Sequence, residues 1–185
     1  MTCIVAVVED GRVVMGADSA GSDLYTIRSR KDPKIHQVGP FLFGFTSSFR
    51  MGQLLGYAFK EPDRDPRVST DKFMVTTFID AVRSCLKVGG YAQLSNNVES
   101  GGVFLVGYEG RIFRIDSDYQ VGESVLLYEA VGCGAEHACA AMYATQKFAD
   151  DGLITASDRV ILALKAAEEF SCGVRGPFLI KEQGK

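Results

Sequence analysis

Histidine occurs only twice, and no two of the five cysteines stand in a C-x-x-C pair. That spacing excludes a zinc site built on paired ligands, and an odd number of thiols offers no disulfide framework. Cys3, Cys85, Cys133, Cys139 and Cys172 therefore read as free thiols, mostly buried. An excess of positive charge is missing as well. A formal charge of −3 and a pI near 5.4 supply no field that would gather phosphates, which argues against nucleic acid and anionic membrane as partners. No apolar run approaches the roughly 18 residues of a membrane span, and the opening MTCIVAVVED carries no basic segment ahead of its apolar stretch. Neither a membrane anchor nor a signal peptide is expected, and the protein is expected in the cytoplasm.

What the sequence does hold is a globular composition, with 46% hydrophobic and 23% charged residues. Residues 1–185 are expected to form one domain, because no stretch is long or polar enough to act as a linker. TCIVAVVE and RVVMGAD flank Asp10-Gly11, the pair best suited to a two-residue hairpin turn. A Ser/Gly/Asp loop at 19–23 follows, then KIHQV and FLFGFT around Gly39-Pro40 as a second hairpin. From Ser48 to about Lys60 the apolar residues recur at helical spacing, and the two prolines of EPDRDPR end that pattern. Thr70 or Asp71 is expected to cap a second helix that stops at Gly89-Gly90. GVFLVGY, Glu109-Gly110 and RIFRID repeat the hairpin signature, and LLYEAVG is a further strand. Helices are expected over 135–148 and 157–170, the latter capped by Ser157, before a closing GPFLIK strand. Antiparallel strand blocks alternating with helix pairs bury their apolar faces best as two stacked sheets with helices outside, an α+β four-layer αββα sandwich.

The opening hairpin and its ending in Asp18-Ser19 resemble the start of proteasome β subunits and of the bacterial HslV peptidase, which belong to the N-terminal-nucleophile hydrolases. Asp18 lies sixteen positions after Thr2 and Lys34 thirty-two after it, the spacing those families use for their catalytic aspartate and lysine. KIHQVGPFLFGFTSSF resembles the family's lysine strand and the turn into its first helix, and AVGCGAEHACAAMYA the opening of its third helix. EFSCG resembles the family's Asp-x-x-Ser-Gly stretch, with Glu169 and Cys172 at the aspartate and serine positions. The likeness spans nearly the whole chain. Taken alone, Thr2 reads as the first residue of a strand, Asp18 as a turn residue and Lys34 as a solvated charge; only their joint register separates them from that reading.

The resemblance implies a threonine-type endopeptidase. A threonine hydroxyl is a weak nucleophile at neutral pH and needs a base. Removal of Met1 would free the Thr2 α-amine, whose pKa of about 8 suits that task. Lys34 would set a positive charge beside the hydroxyl, and Asp18 would balance Lys34. The backbone N–H of Ser48 stands where the family has a glycine that stabilises the oxyanion. Cys133 stands where the family has a serine near the nucleophile's amine, with a thiol as the weaker hydrogen-bonding group. The pocket beside the nucleophile would draw on Gly21, Asp32 and Thr46. This chemistry needs no cofactor and no metal. Cys133 and Cys172 otherwise read as small buried side chains, and His36 and His137 as surface residues without a role. Gly132-Cys133-Gly134 lacks the lysine and hydroxyl of a phosphate loop.

The resemblance also implies self-association into rings through the helical surfaces 48–60 and 70–88, peptide or unfolded protein as substrate, and a separate ATPase ring as a possible partner. Two other functions fit the same residues. A ring or scaffold subunit that retained Met1 would have no free amine at Thr2, and a related amidase on a small amide would need no chamber.

Overall fold

The structure, a computed structural model, describes residues 1–23 and 25–184. Strands β1 (Cys3–Glu9) and β2 (Arg12–Ala17) form the first hairpin. Asp10 and Gly11 both take positive φ, 52° and 69°, the two-residue turn whose twist matches the strands it joins. Glu9 pairs with Arg12, and the register runs back to Ile4 opposite Ala17. A short hairpin of β3 (Ala20–Ser22) and β4 (Ile27–Ser29) replaces part of the loop expected at 19–23; the Asp23 carboxylate accepts from the Tyr25 and Thr26 N–H groups and turns the chain locally. β5 (Ile35–Val38) and β6 (Phe41–Phe45) pair across Gly39-Pro40.

Helix α1 (Phe49–Tyr57) follows, capped by Ser48 and ending three residues short of the expected Lys60. The next helix starts from Ser69, not from Thr70 or Asp71: the Ser69 hydroxyl accepts from the Lys72 N–H. It runs as α2 (Thr70–Phe73), a wide π turn over Met74–Phe78, and α3 (Ile79–Val88), closed by Gly89 and by Gly90 at φ 70°. An exposed hairpin of β7 (Gln93–Ser95) and β8 (Val98–Ser100) turns on Asn96 and Asn97, both at positive φ. β9 (Phe104–Tyr108), β10 (Arg111–Ile115), the short β11 (Val121–Gly122) and β12 (Tyr128–Gly132) complete the second block of strands. The helix expected over 135–148 is broken at Thr145 into α4 (Ala135–Ala144) and α5 (Gln146–Asp150). There the buried Arg159 donates to the Met142 carbonyl and to Gln146 Oε1, which holds the break in place. α6 (Ala156–Phe170) leads to β13 (Leu179–Gln183), which begins three residues after the expected start at Gly176.

The cap of α6 is Thr155, whose hydroxyl oxygen accepts from the Asp158 N–H, whereas Ser157 reaches only Glu182 at the surface. Thr155→Ala is expected to cost about 1 kcal/mol, or roughly 2–4 °C in a thermal melt. Ser157→Ala is expected to shift the melt by less than about 1 °C. Equal losses would return the cap to Ser157.

The strands build two antiparallel sheets, ordered β12-β1-β2-β13 and β11-β10-β9-β6-β5. Alternation along each strand sends one set of side chains to the helices and the other to the opposite sheet. Cys3, Val5 and Val7 of β1 pack with Ala138, Met142, Val160 and Leu164 of α4 and α6. Ile4, Ala6, Met15, Leu42, Leu105 and Ile112 fill the space between the sheets. Phe41, Phe43 and Phe45 of β6 face α1 and α3 in an aromatic cluster with Phe59, Phe73, Phe78 and Tyr108. Helices, sheet, sheet, helices is the four-layer αββα sandwich. Gly44 marks the close approach of its two sheets, since a Cβ there would stand 2.6 Å from Ile4 Cγ2.

His36 is not at the surface. It is buried between Phe45 and Tyr57, with ring centroids at 6.0 and 5.2 Å, and burial lowers its pKa. The cysteines are free, yet only Cys3 is fully buried; Cys85 and Cys139 are half-buried, and Cys133 and Cys172 are exposed.

Candidate active site

Because Glu9 is opposite Arg12, antiparallel pairing brings Asp18, just past β2, level with Cys3 and beside Thr2. Asp18 is 2% exposed and its side chain is fully buried. Its Oδ1 accepts from the Cys3 N–H at 2.9 Å, and its Oδ2 from the Ala20 and Arg175 N–H groups at 2.9 and 3.3 Å. Lys34, immediately before β5 on the other sheet, reaches across the interior. Its Nζ donates to Asp18 Oδ1 at 2.7 Å and to Thr2 Oγ1 at 3.0 Å, and the residue is 2% exposed. Burial lowers the Lys34 pKa and the adjoining Asp18 carboxylate opposes that shift. Burial together with Asp18 pushes the neighbouring Cys3 thiol well up, so it stays protonated.

Thr2 itself is 6% exposed. Its hydroxyl donates to the Met1 carbonyl at 2.6 Å while accepting from Lys34. Its N–H donates to Cys133 Sγ at 3.3 Å. Gly132 makes this approach possible: it takes φ 101°, and a Cβ there would lie 2.2 Å from the Thr2 carbonyl oxygen. The same imaginary atom would stand 3.3 Å from Thr46 Oγ1, so the buried Thr46 flanks this point.

Glu169 and Cys172 are not part of this cluster; both side chains are exposed. One residue earlier, Ser171 touches the cluster through Cys133, its hydroxyl donating to Sγ at 3.3 Å, and Glu168 Oε1 accepts from the Gly176 backbone N–H at 2.8 Å instead. A Glu-x-x-Ser pattern is present in register 168–171, and a one-residue slip on a helix turns a side chain by about 100°. Met1 lies over Gly173 and Cys133, where a Cβ on Gly173 would meet it at 2.3 Å.

The Ser48 N–H is engaged within the chain. It donates to the Thr46 carbonyl at 2.7 Å across Ser47, whose φ of 64° is in the left-handed region. The Ser48 hydroxyl accepts from the Arg50 N–H and caps α1. To bind an oxyanion, this N–H has to turn away from Thr46 or share its hydrogen.

Gly21 and Asp32 are held together by Arg30, a residue the sequence reading passed over. A Cβ on Gly21 would lie 2.4 Å from Arg30 Cδ, Asp32 binds the guanidinium through both carboxylate oxygens, and the guanidinium stacks 3.9 Å from the centre of the Phe49 ring. Arg30 holds the Asp32 carboxyl below the usual carboxylate range. Thr46 lies apart from this pair, next to Gly132. A single arginine at 30 carries no sequence signal; its role is set by the β3–β4 hairpin, which the loop reading of 19–23 concealed.

No family model matches the chain, and no curated protein matches it. Among solved structures it is similar to Thiobacillus denitrificans BPH in complex with epoxomicin, at 23% identity and a TM-score of 0.80 over 100% of both chains. Thiobacillus denitrificans BPH is also similar, at 23% identity and a TM-score of 0.78, covering 98% of this chain and 97% of that one. Eukaryotic HslV from Trypanosoma brucei follows at 15% identity and a TM-score of 0.68, covering 98% of each chain. Identities this low establish architecture and leave chemistry to the residues: the chain has the HslV-like, proteasome-like αββα fold over essentially its whole length.

Proposed function

We propose that this chain is a threonine-type N-terminal-nucleophile endopeptidase subunit, active once the Thr2 amine is freed by removal of Met1. The observation that carries the reading is the buried contact of Lys34 Nζ with both Thr2 Oγ1 (3.0 Å) and Asp18 Oδ1 (2.7 Å). A buried ammonium beside a hydroxyl lowers the cost of forming alkoxide character on that oxygen. The freed amine would remain against Cys133 Sγ, where the Thr2 N–H now donates. It takes the Thr2 hydroxyl proton as Oγ1 bonds to the peptide carbonyl carbon. The same proton passes to the departing amine as the C–N bond breaks, leaving an ester on Thr2. Water, deprotonated by the amine, then hydrolyses the ester. Ser48 N–H is the candidate oxyanion donor, and releasing it from Thr46 is part of substrate binding in this reading.

In this reading residues 1–185 act as a single domain in the cytoplasm, and, as the family resemblance implies, self-associate into a ring through 48–60 and 70–88 and receive peptide or unfolded protein, with a separate ATPase as candidate partner. A second reading is a ring or scaffold subunit without activity. It is favoured by the Ser48 N–H, the candidate oxyanion donor, which is spent on the Thr46 carbonyl.

Intact-protein mass spectrometry separates the two. Epoxomicin, the ligand of the Thiobacillus denitrificans structure, is expected to add one equivalent to protein lacking Met1 and none to Thr2→Ala. Retained Met1 with no adduct leaves the scaffold reading.

A further inference from the structure

Two cavities meet at Arg30, and one of them reaches Lys34 and Asp18. One, of about 530 Å³, is walled by Asp18 and Lys34 themselves together with Lys31, Asp32 and Lys181. The other, of about 360 Å³, opens between Gly21, Arg28 and Phe49. Arg30 belongs to the lining of both and stands between them. In a chain whose formal charge is −3, these walls carry five cations against three carboxylates. Each carboxylate is already committed. Asp18 holds Lys34, Asp32 holds Arg30, and Asp23 accepts from the N–H groups of its own turn with Arg28 nearby. Arg28, Lys31 and Lys181 have no carboxylate within 4.0 Å among the described residues.

The arrangement of Arg30 is the more telling feature. Asp32 takes its Nε and Nη2, which fixes the guanidinium plane against the Phe49 ring. Nη1 is left without a partner among the described residues. A fixed arginine with free N–H donors suits a carboxylate, because little side-chain freedom is lost on binding. Lys34 Nζ lies 5.7 Å from the centre of the same ring, so Arg30 and the candidate nucleophile's lysine share one wall.

Resting on the peptidase reading above, we infer that the site selects peptides bearing an acidic side chain beside the cleaved bond, with Arg30 as the specificity-determining residue and Arg28 and Lys31 as its supporting field.

The test uses the protein lacking Met1 and three fluorogenic peptides that differ only in the residue before the cleaved bond: Glu, Gln or Lys. Glu is expected to exceed Gln in kcat/KM by about two- to fivefold, the range for a partly exposed charge pair, and Lys is expected to fall below Gln. The advantage should reside in KM, should shrink in 0.5 M salt as exposed charges are screened, and should fall toward one in Arg30→Gln. The salt series on the unaltered protein carries the test if Arg30→Gln fails to fold. Hydrolysis of Gln or Lys peptides as fast as the Glu peptide, with the epoxomicin adduct intact, overturns the acidic preference and leaves the peptidase. No adduct and no hydrolysis of any peptide overturns both.

Discussion

Asp18→Ala is expected to lower stability by about 3–5 kcal/mol, roughly 10 °C or more in a thermal melt. Two losses combine. Lys34, 2% exposed, is left with a charge and no counter-ion, and the N–H groups of Cys3, Ala20 and Arg175 lose their acceptor. Asp18 therefore ties the start of β1, the turn after β2 and the segment that leads into β13 to one carboxylate. Asp18→Asn, which retains one acceptor oxygen and the side-chain shape, is expected to lose less. Adding Lys34→Met to Asp18→Ala should recover the share due to the orphaned ammonium and leave the share due to the three N–H groups. A fall of less than about 3 °C for Asp18→Ala would mean that water or a neighbouring group replaces the carboxylate, and the burial of the pair would have to be reconsidered.

The hairpin turn at Asp10-Gly11 could be read from the sequence, and its register sets Asp18 level with Cys3, although Asp18 itself was singled out by the family resemblance. Which residues of β1 and β6 face helices and which face the other sheet could not be read this way, because both strands are apolar on both faces and carry no alternation of polarity. Lys34 needed the family resemblance, since its approach to Thr2 depends on how two sheets stack and no local pattern encodes that distance. Cys172 is one residue past Ser171, the side chain that meets Cys133, because the end of α6 gives no periodic signal to fix the phase, and registers 168 and 169 both hold a glutamate. Caps at Ser69 and Thr155 were missed for a similar reason: each is followed by residues that also cap helices well. The π turn at Met74–Phe78 arises where Phe73, Met74 and Phe78 must all reach the aromatic cluster. One extra residue in a turn brings them there, and helical propensity alone does not call for it.

Lys34→Met is expected to separate fold from chemistry in the opposite sense. Without Lys34, Asp18 still accepts three backbone N–H bonds, so the carboxylate stays satisfied and the loss of stability should be smaller than for Asp18→Ala. The rate of epoxomicin labelling and kcat/KM for peptides should both drop about a hundred- to ten-thousandfold, as when a positioned charge or proton-transfer group is removed. Lys34→Arg should not restore them, because a planar guanidinium does not fit the enclosed space of an ammonium. Stability also changes with pH in a way that identifies the residue. Burial sets the Lys34 pKa in the folded protein below its ordinary 10.5, so between the two values the unfolded chain binds more protons and stability rises with pH. That contribution is complete above 10.5 and lost as pH falls through the lowered value. The raised thiol of Cys3 acts in the other direction above its ordinary 9.0, so the difference between wild type and Lys34→Met isolates the lysine. Denaturation curves whose difference is flat across this window, or labelling of Lys34→Met near the wild-type rate, would remove Lys34 from the mechanism.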